Sequence, residues 1–302
     1  MGRGVLCFKA QHFRGFAVTG TIAIVTPAYR AGLWIGACVR SVLAQTYGDF
    51  EHWIVSDDAV DYEALLAAED LRDPRLRFAS TNAVGAGAPR ARNIALDAIT
   101  TPYVALLDAD DRFKPDKLLR VIKALETIPL VSTAIDDVDE SGRHLRYIGD
   151  GPDRLLSPAA HKFVNFSMDC MIAWDRRVTD GRVDPTIPNM TDIELLLQLY
   201  RTVPRSFHIG TPLHDYVKLA RSMSNGPGVT ERMIAAKRLL LERLNAGYYP
   251  MADASGPAGV ARFLEISIAA EASYPAALAE RPGLLFEDHI EPLLRAASTS
   301  DA

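Results

Sequence analysis

The sequence predicts an α/β protein built on an open, mostly parallel sheet flanked by helices. Two observations carry that expectation. From residue 21 to about 125, short β-branched runs alternate with stretches of helical periodicity, the spacing of parallel βαβ units. The runs also end in polar residues: Thr26, the pair Asp57 and Asp58, and Asp108. Open sheets of this kind bind ligands outside the carboxyl ends of their strands.

The elements follow in order. "TIAIVTP", stopped by Pro27, reads as a buried strand. Ile35, Cys38, Val39, Val42 and Leu43 then recur on one helical face. "FEHWIVSDD" is a second strand, "DYEALLAAEDL" a second helix and "RLRFAS" a third strand. "PRARNIALDAI" is a helix with Pro89 in its first turn, "YVALLDADD" a fourth strand, and Pro115 opens another helix through Leu118, Val121, Ile122 and Leu125. "LVSTAIDDVDESGRHLRYIG" reads as strand, turn and strand around Ser141-Gly142. "DIELLLQLY" is a helix from Asp192, and two amphipathic helices follow residue 226.

Composition narrows the function. A formal net charge of −5 argues against a general nucleic-acid binder, which carries a basic surplus. Cys7, Cys38 and Cys170 are far apart and form no CxxC or Cys/His spacing, so neither a disulfide scaffold nor a structural zinc site is expected. No apolar run reaches the roughly 18 residues of a membrane span. Lys9, His12 and Arg14 interrupt any signal-peptide core. The expectation is a cytoplasmic protein whose residues 1–20 are loosely ordered.

The concentration of charge in "LLDADDRF" (106–113) is the strongest chemical signal. Aspartates at alternate positions leaving an apolar strand can reach one ligand, and hard Mg²⁺ or Mn²⁺ prefers such oxygens, often through only one or two carboxylates plus phosphate. Asp111 has two readings, a helix cap or support for its neighbours. Asp57 and Asp58 can accept from a base N–H or ribose hydroxyls, or simply form an Asx turn. "VGAGAPRARN" is a weak phosphate-cradle pattern. Arg90 and Arg92 lie two apart and point to different faces, with Arg92 beside Asn93 the candidate for the site.

"IAIVTPAYRAGLWIGACVRSVLAQTYGDFEHWIVSDD" followed by "GAPRARNIALDAITTPYVALLDADDRFKPDKLL" resembles the family 2 glycosyltransferases of the GT-A, Rossmann-like fold. The resemblance covers residues 21–125 closely and 126–225 loosely. It implies a GT-A domain over 21–225, with a nucleotide-sugar-binding half (21–125) and an acceptor-binding half (126–225), and a helical C-terminal extension over 226–302. It implies an inverting enzyme that moves one sugar from a nucleotide-diphosphate sugar, UDP-linked by expectation, to a hydroxyl of a glycan or lipid-linked acceptor, with Mn²⁺ or Mg²⁺ as cofactor. Carried over by position, Thr26, Pro27 and Tyr29 lie beside the nucleotide base, and Asp57 and Asp58 contact uracil or ribose. Asp108 meets ribose and Asp110 the metal. Asp192 in "NMTDIELLL" is the base, although the same residue also suits a helix N-cap. "HDYVKLARSMSN" weakly resembles a segment that closes over the diphosphate, with His214 as a further metal ligand and Arg221 as a phosphate contact. Arg90 and Asp111 are candidate diphosphate or supporting groups.

This sequence departs from the family pattern twice. Thr191 stands where Glu is common, and the "DDAVDYEAL" loop is one residue short of the usual Asp-Asp-Gly-Ser-Thr-Asp. These departures motivate a rival, a catalytically silent relative that binds nucleotide-sugar or glycan as a sensor or assembly partner. A dinucleotide oxidoreductase is a second rival, disfavoured by the lack of a glycine-rich turn after the first strand. The Gln-x-x-Arg-Trp motif of processive synthases is absent, which favours single-sugar transfer. "AAKRLLLERL" leaves open a packing helix, a homo-oligomer contact or a peripheral contact at the inner face of the membrane.

Overall fold

The structure, a computed structural model, describes residues 20–187, 189–219 and 228–299. The expected extension at 1–20 therefore lies almost wholly outside the described residues, as does Arg221. In chain order the elements are β1 (Ile22–Ala28), α1 (Ile35–Leu43), β2 (Phe50–Ser56), α2 (Tyr62–Ala68), β3 (Leu76–Ser80), α3 (Ala88–Ala98), β4 (Tyr103–Leu106), β5 (Arg112–Phe113) and α4 (Lys117–Leu125). The second half continues with β6 (Leu130–Asp139), β7 (His144–Ile148), β8 (Arg154–Leu156), α5 (Pro158–Val164), β9 (Ala173–Asp175), α6 (Thr191–Leu199) and β10 (Ser206–Lys218). Three helices close the described chain: α7 (Val229–Asn245), α8 (Gly256–Glu280) and α9 (Phe286–Thr299).

The main path of the sheet runs β3-β2-β1-β4-β9-β6-β10-β5, with β7 on β6 and β8 on β10. The block β3-β2-β1-β4 is parallel, as the alternation of strands and helices requires. β9 then enters antiparallel between β4 and β6, and β10 runs parallel to β6. The sheet is thus mixed rather than a uniform parallel stack. β9 and the 13-residue β10 were not separable by sequence, because their register depends on strands far away in the chain.

Both faces of the sheet are covered, and β1 shows why its sequence is apolar at every position. Ile22 and Ile24 pack with Cys38 and Val42 of α1 and Leu118 and Val121 of α4. Ala23 and Val25 pack on the other face, with Ala91 and Ala95 of α3 and with α6. Pro27 does not stop β1, which runs on to Ala28. Thr26 and Ala28 point to β2, so Pro27 points to the β4 side, where pairing ends at Val25. Its missing N–H therefore forfeits no ladder bond.

The helices after residue 228 belong to the larger core. Leu240 and Leu244 of α7 and Val260, Phe263 and Leu264 of α8 share one apolar cluster with Leu195 and Leu199 of α6. A Cβ on Gly259 would come within 2.3 Å of Ala159, so α8 presses on α5 at a point where only glycine fits. Lys237 of α7 donates to Glu271 of α8 at 2.6 Å, with both side chains buried. Among the described residues no helix is long and apolar enough to cross a membrane.

Removing one member of a buried pair strands a charge, whereas removing both does not. Lys237→Met is expected to cost about 3 kcal/mol and lower the thermal midpoint. Adding Glu271→Leu should recover most of that loss in the same melting experiment.

Candidate active site

The loops at the carboxyl ends of β1, β2, β3 and β4 form one crevice edge, held by aspartates. Asp57 is buried and accepts from Thr81 Oγ1 at 2.8 Å, from Ala86 N at 3.0 Å and from Gly87 N at 2.7 Å. It thus shapes the glycine loop that leads into α3. Gly87 has φ 97° and ψ 151°, a conformation open to glycine alone. Asp58 accepts from Arg30 N at 2.6 Å and Tyr62 Oη at 2.9 Å, with Ser56 and Val60 adding weaker bonds. Burial works against its charge, but these donors outweigh burial and hold the carboxyl below its ordinary range. Thr26 is fully buried against His52, whose ring burial keeps neutral with a pKa near 3. Tyr29 is half exposed, its ring about 4 Å from where a Gly85 Cβ would stand. Arg90 is exposed on α3.

Several of these loops contain a non-glycine residue in the left-handed region: Arg30 after β1, Ala59 after β2 and Asn82 after β3, with Met190 before α6. Such residues cost about 1–2 kcal/mol each and mark a backbone whose shape is imposed by its neighbours. Ala59, at the position where the resembling pattern has glycine, has a φ of 61°.

After β4 the chain delivers Asp108, Asp110 and Asp111 in three different directions. Asp108 Oδ1 accepts from Arg92 Nη2 at 2.6 Å, and its Oδ2 accepts from Cys170 Sγ at 3.2 Å. Among the described residues no other side chain donates to Asp110. Burial, then the Asp108 charge, lifts its carboxyl to about 6. Asp111 points into the protein, wholly buried, and accepts from Val217 N at 2.9 Å. α4 starts only at Lys117, so Asp111 is no helix cap.

His214 is turned the same way. Its Nδ1 lies 2.8 Å from Lys117 Nζ and its Nε2 3.1 Å from Asp111 Oδ2. Burial pushes the ring well below its usual proton affinity and Lys117 down to about 7. With both ring nitrogens engaged, His214 as placed offers no lone pair to a metal beside Asp110. Among the described residues no three His, Cys, Asp or Glu side chains converge on a metal position. The donor set therefore suits a hard cation held by one or two carboxylates and completed by substrate oxygens, rather than an all-protein cage.

The other wall of the site comes from distant sequence. Asp192 lies in the first turn of α6, whose N-cap is Met190, so it is not the cap. Its Oδ2 accepts from Asp169 N at 2.7 Å and lies 4.0 Å from Cys170 Sγ. Burial, then the Asp169 charge, raises its carboxyl above the ordinary range. Arg92 bridges the two walls, since its Nη1 donates to Thr191 Oγ1 at 3.1 Å while Nη2 holds Asp108. Cys170 and Asp169 were missed by sequence reasoning, because no local pattern distinguishes them from core residues. Two surface hollows border the sheet. One of about 280 Å³, bounded by Thr100, Pro102, Arg176 and Asp180, is at the opposite end of β4. Another of about 270 Å³ borders the Asp58 loop between β2, β3 and α2.

With this geometry in view, the comparisons are decisive on family. The sequence profile described as "Glycosyl transferase family 2" matches residues 23–175, just over half of the chain. The chain belongs to glycosyl transferase family 2.

This family 2 chain is 27% identical over 208 residues to a putative teichuronic acid biosynthesis glycosyltransferase of Bacillus subtilis, covering 68% of this chain and 81% of that protein. It is 36% identical over 97 residues to an Escherichia coli UDP-Glc:alpha-D-GlcNAc-diphosphoundecaprenol beta-1,3-glucosyltransferase, covering 32% of this chain and 38% of the relative. With an uncharacterized glycosyltransferase of Rickettsia conorii it is 29% identical over 43% of this chain, and it spans only 22% of that relative's length. S. aureus TarS 1-349 in complex with UDP-GlcNAc has a TM-score of 0.62 at 13% identity, covering 91% of this chain and 79% of that one. A Pyrobaculum calidifontis mannosyltransferase in complex with GDP-Man and Mn²⁺ has a TM-score of 0.56 at 15% identity, with coverage of 94% and 81%. These structural likenesses establish the GT-A fold.

The left-handed turn after β2 is directly testable. Ala59→Gly should stabilise the fold by about 1 kcal/mol, because glycine meets no Cβ penalty at positive φ. A melting curve that is unchanged or lowered would mean the turn is not under this strain.

Proposed function

We propose that this family 2 chain transfers a single sugar from a UDP-linked donor to a hydroxyl of a glycan or lipid-linked acceptor, with inversion at the anomeric carbon. The observation that carries the reading is the convergence of Asp108 and Asp192 on Cys170, at 3.2 and 4.0 Å. Two carboxylates from opposite halves of the domain thereby face one site. The UDP-GlcNAc bound by S. aureus TarS and the UDP-Glc donor and diphosphoundecaprenol-linked acceptor of the E. coli relative support a sugar-nucleotide donor and a lipid diphosphate acceptor.

In this reading Tyr29, Pro27 and the Asp57–Asp58 edge receive the base and ribose of the donor, with Thr26 setting the strand end beneath them. Asp108, held in place by Arg92, accepts from ribose. Asp110 would hold Mn²⁺ or Mg²⁺, which would supply positive charge to the departing diphosphate. Arg90, on the exposed first turn of α3, lies on the diphosphate side, and Arg221 remains a candidate for the same role. Asp192 takes the proton from the acceptor hydroxyl as the acceptor oxygen bonds to the anomeric carbon and the bond to the β-phosphate oxygen breaks. A carboxyl with raised proton affinity suits that role. Thr191, in place of the usual Glu, leaves Asp192 as the acidic side chain at this helix start that faces the site.

Calorimetric titration with UDP, with and without Mn²⁺, tests the donor site. Binding is expected to require the metal and to vanish in Asp110→Ala. Asp192→Asn should bind UDP within about twofold of the parent while release of UDP from UDP-glucose or UDP-N-acetylglucosamine falls roughly 10²–10⁴-fold. Undiminished turnover in that variant would remove Asp192 from the mechanism and leave the donor site standing.

A further inference from the structure

Behind Asp192 lies a set of buried charges that the reaction does not use directly. Lys162 of α5 donates to Asp169 Oδ2 at 2.7 Å, and both side chains are almost fully buried. His161 Nε2 stands 3.4 Å from the other oxygen of Asp169, and its Nδ1 lies 2.9 Å from Tyr200 Oη and 3.2 Å from Ser206 Oγ. The backbone N–H of Asp169 donates to Asp192 at 2.7 Å, and the next residue, Cys170, donates to Asp108. Residues 169 and 170 are therefore a spacer between the two carboxylates of the site, tethered from behind by Lys162.

The tether is seated by the C-terminal helices. α8 meets α5 at the Gly259–Ala159 contact, and its Phe263 lies under the Lys162 ammonium at 5.3 Å and edge-on to Phe163 at 6.4 Å. A lysine enclosed in this way has no water to compensate its charge, so its position follows that of its one carboxylate partner. Any displacement of α5 would move Asp169 and with it the N–H that orients Asp192.

We infer that Lys162 and Asp169, braced by α8, are positioning residues for Asp192, fixing its orientation and the ease with which it accepts a proton. The inference rests on Asp192 acting as the base, but its test does not need turnover. The charged and polar groups facing Asp192 are Arg92 from α3, Lys162 from α5, and Asp169 and Cys170 from the segment before β9, with Asp108 across Cys170. Among them the Asp169 charge raises the proton affinity of Asp192 more than Lys162 lowers it.

The sign of the expected effect follows from linkage. A carboxyl whose folded pKa is raised stabilises the fold at pH below its unfolded value, and that contribution is lost as pH rises through the folded value. Asp192→Asn escapes the loss, so its thermal midpoint should climb relative to the parent as pH rises above the ordinary aspartate range, then level off. The same comparison is made in a Lys162→Met, Asp169→Asn background, which removes both charges and keeps the Asp169 N–H. There the gap should be smaller and should level off at lower pH. A gap of unchanged size and pH range would overturn the inference.

If the double variant does not fold, Asp169→Asn alone gives the same sign. Failure of the base reading is recognised separately: Asp192→Asn would then keep releasing UDP from UDP-glucose or UDP-N-acetylglucosamine whatever the melting curves show. In the double variant UDP affinity should stay within about twofold and kcat fall tenfold or more, a split that general destabilisation would not produce.

Discussion

The buried guanidinium of Arg92 is the constraint on which the site depends. It is 4% exposed and reaches three segments that are remote in sequence: Asp108 after β4, Thr191 at the start of α6 and the Cys170 sulfur. A cation held this way cannot be removed cheaply, since Asp108, Thr191 and Cys170 would lose their shared donor. Nor can lysine replace it, because a point charge lacks the fork that spans two walls at once. The α3 helix that carries Arg92 is set in turn by the Asp57-bound glycine loop. The Asp108 loop and the start of α6 are consequently linked through one side chain.

The aspartates divide into those that build and those left available. Asp57, Asp58 and Asp111 accept several internal donors each and hold loops or strands in place. Asp110 is left without a side-chain donor among the described residues, and burial, then repulsion from Asp108, raises its proton affinity. Asp108 lies between these classes, anchored on one side and half open on the other. The Asp111–His214–Lys117 cluster makes the reason for this division concrete. It joins the aspartate loop to β10 and α4, so Asp110 projects from a rigid base.

The C-terminal helices are part of the same construction. Glu287 of α9 accepts from Ser167 at 2.7 Å and from Lys218, at the end of β10, at 2.6 Å. Arg146 of β7 is paired with Asp288 and Glu291 of the same helix. These contacts join α9 to β7, to the carboxyl end of β10 and to the segment leading to Asp169. A helical segment tied in at so many charged points behaves as a wall of the domain rather than as an appendage, because each buried pair resists separation.

The sequence alone determined the parallel half of the fold and the aspartates of its edge. Strand runs, helical periodicity and strand-end chemistry are local properties, and they were legible in "IAIVTP", "HWIVSDD" and "YVALLDADD". Local pattern also marked the start of α6, although it could not tell that Met190 rather than Asp192 occupies the cap. Tertiary structure decided the rest. It ran β1 through Pro27, inserted β9 antiparallel into the sheet, turned Asp111 and His214 inward, and placed Cys170 and Asp169 between Asp108 and Asp192. Each outcome depends on which distant segment lies alongside, and a burial or a hydrogen bond across tens of residues leaves no period in the chain that makes it.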